Sequence, residues 1–421
     1  MKFLILTERD LQEALPMRDA VQAMKDAFGA LSAGEAVAPQ RTHLEVPERD
    51  AVSLLMGAFV PSMGLATKVV SVFPHNPREG KPIVTGLVEV LDPETGEPAA
   101  LIDGTALTAW RTGAASGAAT DLLAREDAST GALIGCGAQG RTQLLAVDAV
   151  RDLSEVRVAG RSLESAERFC REMQPRVRPR LTAVASAREA VRGADVVCTA
   201  TTSRTPVLEG DDLAEGAHVN AVGSFTLDML ELDPRTIERS TVFVDEVEAA
   251  LEEAGELVYA ERCRATSRER WTPLGLVARG SAAGRRSAEE ITLFKSVGHA
   301  VQDVAAASRA LARARELGLG IQVDLAAESL RREDVPGEDA SWQEIQDFAL
   351  TYNGYAAHGS LEGVEAVVRR GDPTTIPELR TCLFYQQRLW RNQGFDPDAE
   401  SMEHIRGLVR RLRELARPSR G

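Results

Sequence analysis

The feature that most constrains the fold is a glycine-rich turn at residues 135–140, with the sequence Gly-Cys-Gly-Ala-Gln-Gly. It directly follows the apolar stretch 131–134 and directly precedes a helical run. In such a strand-turn-helix, the first glycine permits a sharp turn, the second lets the backbone approach a pyrophosphate, and the third lets helix and strand pack closely. Free N–H groups at the helix start attract the anion. The turn therefore predicts a dinucleotide site formed by Gly135, Gly137, Ala138, Gln139 and Gly140.

Short apolar stretches alternate with longer helical stretches from this turn onward, as far as about residue 244. Strands that alternate with crossover helices indicate an α/β fold with a Rossmann-type doubly wound parallel sheet. We place this dinucleotide-binding domain at residues 123–298. Before it, residues 12–32 have the period of an amphipathic helix, and β-branched runs between residues 52 and 102 predict strands joined by turns.

The last part of the chain, residues 326–421, is predicted to be a helical C-terminal extension of unknown role. One apolar stripe is expected on its final helix, formed by Met402, Ile405, Leu408, Val409, Leu412 and Leu415. Its aromatic residues at helical spacing predict a small packed core, and they are Trp342, Phe348, Tyr352, Tyr355, Phe384, Tyr385 and Trp390.

Composition excludes several classes of partner. The net charge of -14 and the pI of about 5.1 argue against nucleic acid and against anionic membrane surfaces, which repel an acidic protein. The five cysteines are scattered without any C-x-x-C spacing, so we expect no disulfide framework, no metal site and a cytoplasmic location. The expected partner is a small molecule.

The end of the second predicted strand bears on the choice of cofactor. An NAD site usually carries an acidic side chain there, which accepts hydrogen bonds from the ribose hydroxyls. This chain instead has Arg161 and Ser162 after Val158-Ala159-Gly160. A guanidinium pairs with phosphate oxygens, so these residues favour NADP(H), with NAD(H) as the alternative.

Several separated motifs resemble those of the ornithine cyclodeaminase/mu-crystallin family over residues 1–325. They are Thr67-Lys68-Val69-Val70-Ser71, residues 73–76, residues 105–117 (TALTAWRTGAASG), the glycine turn, Asn220-Ala221-Val222-Gly223-Ser224 and residues 296–303 (SVGHAVQD). The resemblance implies a homodimer. It also implies an α+β domain for substrate binding and dimerisation, built from residues 1–122 and 299–325.

The resemblance further implies which residues form the active site. Arg41, Lys68 and Arg111 match the family's cations that hold a substrate carboxylate, and Lys68 and Arg111 are the candidate catalytic residues. An α-imino acid offers one anionic handle that a guanidinium can grip through two hydrogen bonds. The remaining matches are cofactor contacts, namely Thr85, Thr199, Ala200, Thr201, Val222, Ser296 and Gly298.

One departure from the family pattern separates its reactions. The resemblance implies that ornithine cyclodeaminases carry an aspartate at the position that matches Phe225, where it acts on the amino groups of the substrate. The apolar ring of Phe225 cannot pair with the terminal ammonium group of ornithine. We therefore expect an enzyme that reduces a small α-imino acid with NAD(P)H, or oxidises the amino acid. The alternatives are an ornithine or lysine cyclodeaminase, which releases ammonia, and a non-catalytic NADPH-dependent binding protein.

Overall fold

The computed structural model describes residues 2–324, 334–337, 339–351, 361–393 and 396–416. The chain divides into two compact units, Met1–Asp324 and Leu325–Gly421. None of the helices within the described ranges is long and apolar enough to cross a membrane.

The first unit contains two sheets and the helices that cover them. The strands are β1 (Lys2–Leu6), β2 (Thr42–Val46), β3 (Ala51–Val60), β4 (Gly64–Val72), β5 (Val84–Leu91), β6 (Pro98–Asp103), β7 (Thr130–Ile134), β8 (Glu155–Ala159), β9 (Arg180–Ala183), β10 (Val196–Thr199), β11 (His218–Ala221), β12 (Ser240–Val244), β13 (Thr272–Pro273), β14 (Ile291–Lys295) and β15 (Ile321–Asp324). The helices are α1 (Glu8–Ala14), α2 (Met17–Ser32), α3 (Gly104–Leu123), α4 (Ala138–Val150), α5 (Leu163–Met173), α6 (Ala187–Val191), α7 (Pro234–Glu238), α8 (Val247–Glu253), α9 (Gly255–Arg262), α10 (Leu274–Ala278) and α11 (Ala300–Leu317).

One sheet has the strand order β13-β12-β14-β11-β10-β7-β8-β9, and all of its neighbouring strands are parallel. Strands β10, β11 and β14 are buried at every residue, as expected for strands that are covered on both faces. The chain leaves β7 toward β8 and later returns to its other side with β10. The predicted Rossmann-type doubly wound sheet is therefore confirmed, and its ligand crevice is expected beside the carboxyl end of β7.

The other sheet is mixed, with the order β15-β1-β6-β5-β4-β3-β2. Strand β1 pairs parallel with β6, and the remaining pairs are antiparallel. The turn between β5 and β6 is closed by Asp92, whose carboxylate accepts the N–H groups of Glu94 and Thr95. Helix α11 contacts β3 and β4 on one face of this sheet, and the outer face carries exposed apolar side chains.

The helix predicted over residues 12–32 is instead two helices, α1 and α2, so that prediction was wrong at its start. Pro16 is the N-cap of α2. Proline lacks an N–H group and disfavours helical backbone at the residue before it, which here is Leu15. The spacing of Val21, Met24 and Phe28 was interpreted correctly, because all three are buried on α2.

Helix α3 packs closely against α4, as its many small residues predict. A Cβ atom on Gly113 would lie 2.5 Å from the carbonyl oxygen of Thr142. A Cβ on Gly117 would lie 3.3 Å from the carbonyl oxygen of Ala146. The two glycines let the backbones approach, and α3 thereby connects the end of the mixed sheet to the first helix of the parallel sheet.

The second unit is helical, as predicted. Its helices within the described residues are α12 (Trp342–Leu350), α13 (Leu361–Arg370), α14 (Ile376–Gln393) and α15 (Ala399–Leu415). The stripe on α15 is buried at Ile405, Leu408, Val409 and Leu412, whereas Leu415 is exposed. Among the aromatic residues, Phe384 is buried and Trp342, Phe348 and Trp390 pack against the apolar cluster. Tyr352 and Tyr355 lie outside the described residues.

Candidate active site

The glycine turn has the geometry that a pyrophosphate requires. Gly135 has a φ of 117°, which side-chain-bearing residues rarely adopt, and a Cβ on it would lie 2.4 Å from the carbonyl oxygen of Ala200. A Cβ on Gly140 would lie 2.1 Å from the carbonyl oxygen of Gly135. Helix α4 begins directly after Gly137, and no described atom lies within 4 Å of the position of a Cβ there. The start of α4, where the first N–H groups have no partner within the helix, therefore has space beside Gly137 for an anionic ligand.

The predicted cofactor contacts on β10 and β11 lie at the same edge as the glycine turn. Thr199 pairs with Ile134 of β7 on one side and with Ala221 of β11 on the other. The N–H of Ala200 donates to the carbonyl oxygen of Ile134 at 2.8 Å, and the N–H of Val222 donates to that of Thr199 at 3.1 Å. The fold therefore brings Thr199, Ala200, Thr201 and Val222 to the switch point of the sheet.

Two of the three predicted cations meet on a buried carboxylate. The Lys68 Nζ lies 2.7 Å from one oxygen of Asp303, and the Arg111 Nε lies 3.2 Å from the other. Arg111 also donates to the Gln302 amide oxygen at 2.5 Å. Lys68 is 2% exposed, Arg111 5% and Asp303 3%. Asp303 and Gln302 belong to a motif recognised in the sequence, but the sequence analysis gave them no role.

The third cation, Arg41, approaches the same place from the other side of Gly298. Its guanidinium donates to the Gly298 carbonyl oxygen at 2.6 Å, and its Nε lies 2.9 Å from Glu253. Gly298 has a φ of 84°, and a Cβ on it would lie 2.6 Å from the Arg111 guanidinium. Only glycine fits between the two arginines in this conformation. Lys68 thus joins Arg111 at Asp303, and Arg111 and Arg41 meet at Gly298, in the short segment of residues 296–298.

That segment is held by Asp245, a residue that the sequence analysis missed. One carboxylate oxygen of Asp245 accepts the Ser296 hydroxyl at 2.9 Å and the N–H groups of Val297 and Gly298 at 3.0 and 2.7 Å. Asp245 directly follows β12, and Ser296 directly follows the neighbouring strand β14. Burial raises the pKa of Asp245, and the Gly298 N–H, the Ser296 hydroxyl and the charge of Arg111 oppose the shift.

The surroundings of Lys68 change its acidity. Burial lowers the pKa of Lys68 to about 8; Asp303 opposes the shift, whereas the positive charges of Arg111 and Arg41 reinforce it. The pKa of Asp303 is lowered despite its burial, because Lys68 and Arg111 stabilise its charged form. An ammonium group with a pKa near 8 holds a proton at neutral pH and can release it to a stronger base.

A cavity of about 360 Å³ opens beside Arg41 and Gly298. Its other lining residues include Met56, which is directly opposite Lys68 across β3 and β4, and Glu253. Burial raises the pKa of Glu253 to about 7, and Arg41 opposes that shift. His299 also lines the cavity, where it caps α11 and its Nε2 lies 3.4 Å from Glu246. The cavity has room for a small organic molecule beside Arg41, and its lining also carries four glutamates, Glu246, Glu248, Glu252 and Glu253.

Three predicted cofactor residues lie away from this cluster. Arg161 and Ser162 are exposed at the end of β8, and the Ser162 hydroxyl caps α5 by accepting the N–H of Ser165. Strand β8 pairs with one side of β7 and β10 pairs with the other, so Arg161 and Ser162 lie away from the predicted contacts on β10 and β11. Thr85 is exposed on β5 opposite Ser71, on the sheet face opposite to the one that carries Lys68. The fold of one chain therefore does not bring Thr85 into the cavity.

A doubly wound sheet with a glycine turn at its switch point, together with a small cavity that contains Arg41 and Gly298, is typical of a dinucleotide-binding α/β protein that takes a small-molecule ligand. The described residues contain no group of three or more His, Cys, Asp or Glu side chains that could hold a metal ion. The chain belongs to the ornithine cyclodeaminase/mu-crystallin family, whose model matches residues 1–317. The resemblance inferred from the sequence motifs is thereby confirmed.

Known relatives match the same part of the chain. A Delta(1)-pyrroline-2-carboxylate reductase of Bacillus cereus is 38% identical over 324 residues, which are 76% of this chain and 99% of the relative. A Thermococcus litoralis Delta(1)-pyrroline-2-carboxylate reductase, solved with NADH and L-proline, superposes with a TM-score of 0.74 at 38% identity, covering 76% of this chain and 100% of that one. An archaeal alanine dehydrogenase dimer with bound NAD gives a TM-score of 0.72 at 34% identity, with 77% and 100% covered.

The raised pKa of Glu253 predicts a dependence of stability on pH. Between pH 4.5 and about 7 the folded state keeps a proton that the unfolded state has released, so the stabilisation present at low pH is lost as pH rises through this window. We expect Glu253→Gln to remove this contribution, which is at most about 1.4 kcal/mol per pH unit for one proton.

The measurement is the free energy of unfolding in urea at pH 5, 6 and 7. Glu248→Gln replaces an exposed carboxylate of α8 that has no part in the pKa shift of Glu253, so it is the matched control and should keep the wild-type slope. Identical slopes for the wild type and Glu253→Gln would contradict the raised pKa.

Proposed function

We propose that this protein is an NAD(P)H-dependent oxidoreductase that reduces a small α-imino acid to the amino acid, or catalyses the reverse oxidation. The observation that carries the proposal is the joining of three cations next to the nucleotide edge of the sheet: Arg41 and Arg111 meet at Gly298, and Lys68 shares the Asp303 carboxylate with Arg111. The relatives named as pyrroline-2-carboxylate reductase and alanine dehydrogenase support the same class of reaction.

The cations are suited to hold the carboxylate of such a substrate. Lys68, Arg111 and Asp303 together carry one surplus positive charge, and Arg41 lines the cavity. A planar guanidinium can bind a carboxylate through two parallel hydrogen bonds, which fixes the orientation of the attached carbon. Arg111 is itself fixed by Asp303 and Gln302, so little of its freedom remains to be lost on binding.

The nucleotide site fits the cofactor of this reaction. The glycine turn of residues 135–140 would hold the pyrophosphate, and Thr199–Thr201, Val222 and Ser296 would lie beside the remainder of the dinucleotide. When bound there, a reduced nicotinamide would supply a hydride, and the residues of this chain would hold and orient it beside the substrate. Binding both partners in one orientation removes much of the entropic barrier to the transfer.

Lys68 is the proposed source of the proton that the imine nitrogen gains. With a pKa of about 8, it is mostly protonated at neutral pH and loses the proton more easily than an exposed lysine. Phe225 occupies the position of the cyclodeaminase aspartate, and Asp228 pairs with Arg204 and Thr226 on the surface. This arrangement favours reduction over ornithine cyclisation.

The direct test is the oxidation of NADPH or NADH, followed by absorbance, with Delta(1)-pyrroline-2-carboxylate or with pyruvate and ammonia. We expect consumption by the wild type and a kcat at least about 100-fold lower for Lys68→Met, because the proton donor is lost. Lys81→Met, which changes an exposed lysine, is the control and should keep the wild-type kcat.

Undiminished turnover of Lys68→Met at saturating substrate would exclude the proton role of Lys68. Ammonia release from ornithine or lysine without net cofactor turnover would contradict the reductase and identify a cyclodeaminase. Cofactor binding without either activity would leave the binding-protein alternative.

We further propose that NADP(H) is preferred, because Arg161 follows β8 where no carboxylate stands. The NADH and NAD of the two solved relatives support NAD(H) as the alternative.

Replacing Arg161 with Asp should raise the Kd for NADPH at least about tenfold, since the guanidinium–phosphate pair is replaced by repulsion. The Kd for NADH should change less than about threefold. Arg171→Asp on α5 makes the same charge change at an exposed site and is the control. Equal losses for both cofactors would contradict the preference.

We propose a homodimer that uses the outer face of the mixed sheet. Leu55, Val69 and Leu87 are direct neighbours across β3, β4 and β5 and are 43%, 48% and 58% exposed. Such a contiguous apolar row is typical of an interface. The second copy of this chain is the proposed occupant, supported by the dimeric alanine dehydrogenase relative.

Replacing Leu87 with Glu should convert the dimer to a monomer in sedimentation experiments, because it buries a charge in an apolar interface. Tyr259→Glu alters an exposed residue of α9 and should leave the dimer intact. A dimeric Leu87→Glu protein would contradict this choice of interface.

A further inference from the structure

A fully buried carboxylate, Glu231, lies behind the nucleotide edge of the parallel sheet and has no part in the mechanism described above. It is 0% exposed. Its backbone carbonyl accepts the N–H groups of Val207 and Leu208 at 2.8 and 3.1 Å, which fixes the residue in place. Isolated buried charges are costly, so the contacts of this side chain require an explanation.

The carboxylate accepts four hydrogen bonds, and all four come from the ends of β10 and β11. One oxygen accepts the Thr201 N–H at 2.6 Å and the Thr201 hydroxyl at 2.9 Å. The other accepts the Thr199 hydroxyl at 2.9 Å and the Gly223 N–H at 2.7 Å. Since every partner donates, the contacts require an acceptor on both oxygens, as in an ionised carboxylate.

The backbone around these contacts is tightly packed, so a shift of one strand end would move its neighbours. A Cβ on Gly223 would lie 2.1 Å from the Thr201 carbonyl oxygen and 2.5 Å from Glu231. Ala200 lies between the two threonines that Glu231 holds, and its carbonyl oxygen is the atom that a Cβ on Gly135 would strike. Glu231 therefore fixes the backbone that contacts the first glycine of the nucleotide turn.

The charges near Glu231 are compatible with this role. Burial raises the pKa of Glu231, the Lys295 ammonium opposes the shift, and the nearby Glu256 carboxylate adds to it. Lys295 is also fully buried, pairs with Glu256 at 3.1 Å and donates to the Ser224 carbonyl oxygen at 2.6 Å. The loop that follows β11 is thus held at Gly223 by Glu231 and at Ser224 by Lys295.

We propose that Glu231 is a positioning residue of the nucleotide site. It holds the ends of β10 and β11 at the spacing that receives the half of the dinucleotide beyond the pyrophosphate. This inference rests on the proposed NAD(P)H binding. In a doubly wound sheet the dinucleotide lies across the switch strand, here β7. The adenosine half then lies toward β8, and the nicotinamide half lies toward β10 and β11, so Glu231 affects only the second half.

The test compares two ligands and two variants by calorimetric titration. Glu231→Gln keeps the shape of the side chain but replaces one oxygen with an amide NH2 group, which donates. Because each oxygen of Glu231 accepts one backbone N–H, the variant leaves at least one of these N–H groups without an acceptor. We expect its Kd for NADPH and for NADH to rise about tenfold, as leaving a buried donor unsatisfied predicts. Its Kd for ADP, which lacks the nicotinamide riboside, should stay within about twofold of the wild type.

Asp195→Asn is the matched control, because the Asp195 carboxylate also accepts backbone N–H groups, at the opposite ends of the same strands, although it pairs in addition with Arg125 at 2.6 Å. Its carboxylate accepts the N–H groups of Ser129 and Thr130 at 2.9 and 3.0 Å, at the start of β7. Asp195→Asn should lower thermal stability and leave the Kd values for NADPH, NADH and ADP unchanged. Glu231→Asp keeps both acceptor oxygens but draws them back from the strand ends, and it should show a weaker form of the Glu231→Gln pattern if that variant does not fold.

Three results would overturn the assignment. The first is unchanged NADPH and NADH affinity in folded Glu231→Gln or, failing that, in Glu231→Asp. The second is a parallel loss of ADP affinity, and the third is the same set of losses in Asp195→Asn. A wild-type protein that binds neither NADPH nor NADH would instead overturn the proposed function, so the two failures are distinguishable.

Discussion

Asp303 places one negative charge between two buried cations, and the arrangement of the site depends on that contact. Burying an ammonium or a guanidinium without a partner costs several kcal/mol, and two adjacent cations also repel each other. Asp303 offsets this cost for Lys68 and Arg111 while leaving one positive charge in excess. A substrate carboxylate would neutralise that excess, and the same surroundings make Lys68 acidic enough to act on a proton.

The covalent chain links this charge cluster to the nucleotide site by a very short path. Strand β14 ends at the edge of the parallel sheet, residues 296–298 follow immediately, and α11 then carries Asp303 to the cations. Asp245 holds the connecting segment from the neighbouring strand end. Two sites with different chemistry thereby acquire a fixed separation, which a reaction between a dinucleotide and a small acid requires.

The sequence predicted those parts of the molecule whose causes are local. The glycine turn, the alternation of strands and helices, and the small residues of α3 depend on neighbours within a few positions, and the fold agrees with them. Asp303, Asp245 and Glu253 could not be assigned roles, because their partners lie far away along the chain; Arg111 and Asp303 are 192 residues apart. The position of Thr85 depends on strand register, which a single sequence leaves open.

The central claim is that the cations recognise a carboxylate beside the bound cofactor. The most direct measurement compares, by calorimetry on the protein–cofactor complex, the affinity for the amino acid that the enzyme forms with the affinity for the amide of that amino acid. The account predicts that the amide binds at least about thirtyfold more weakly, because it cannot satisfy the surplus positive charge. Equal affinities would contradict the account.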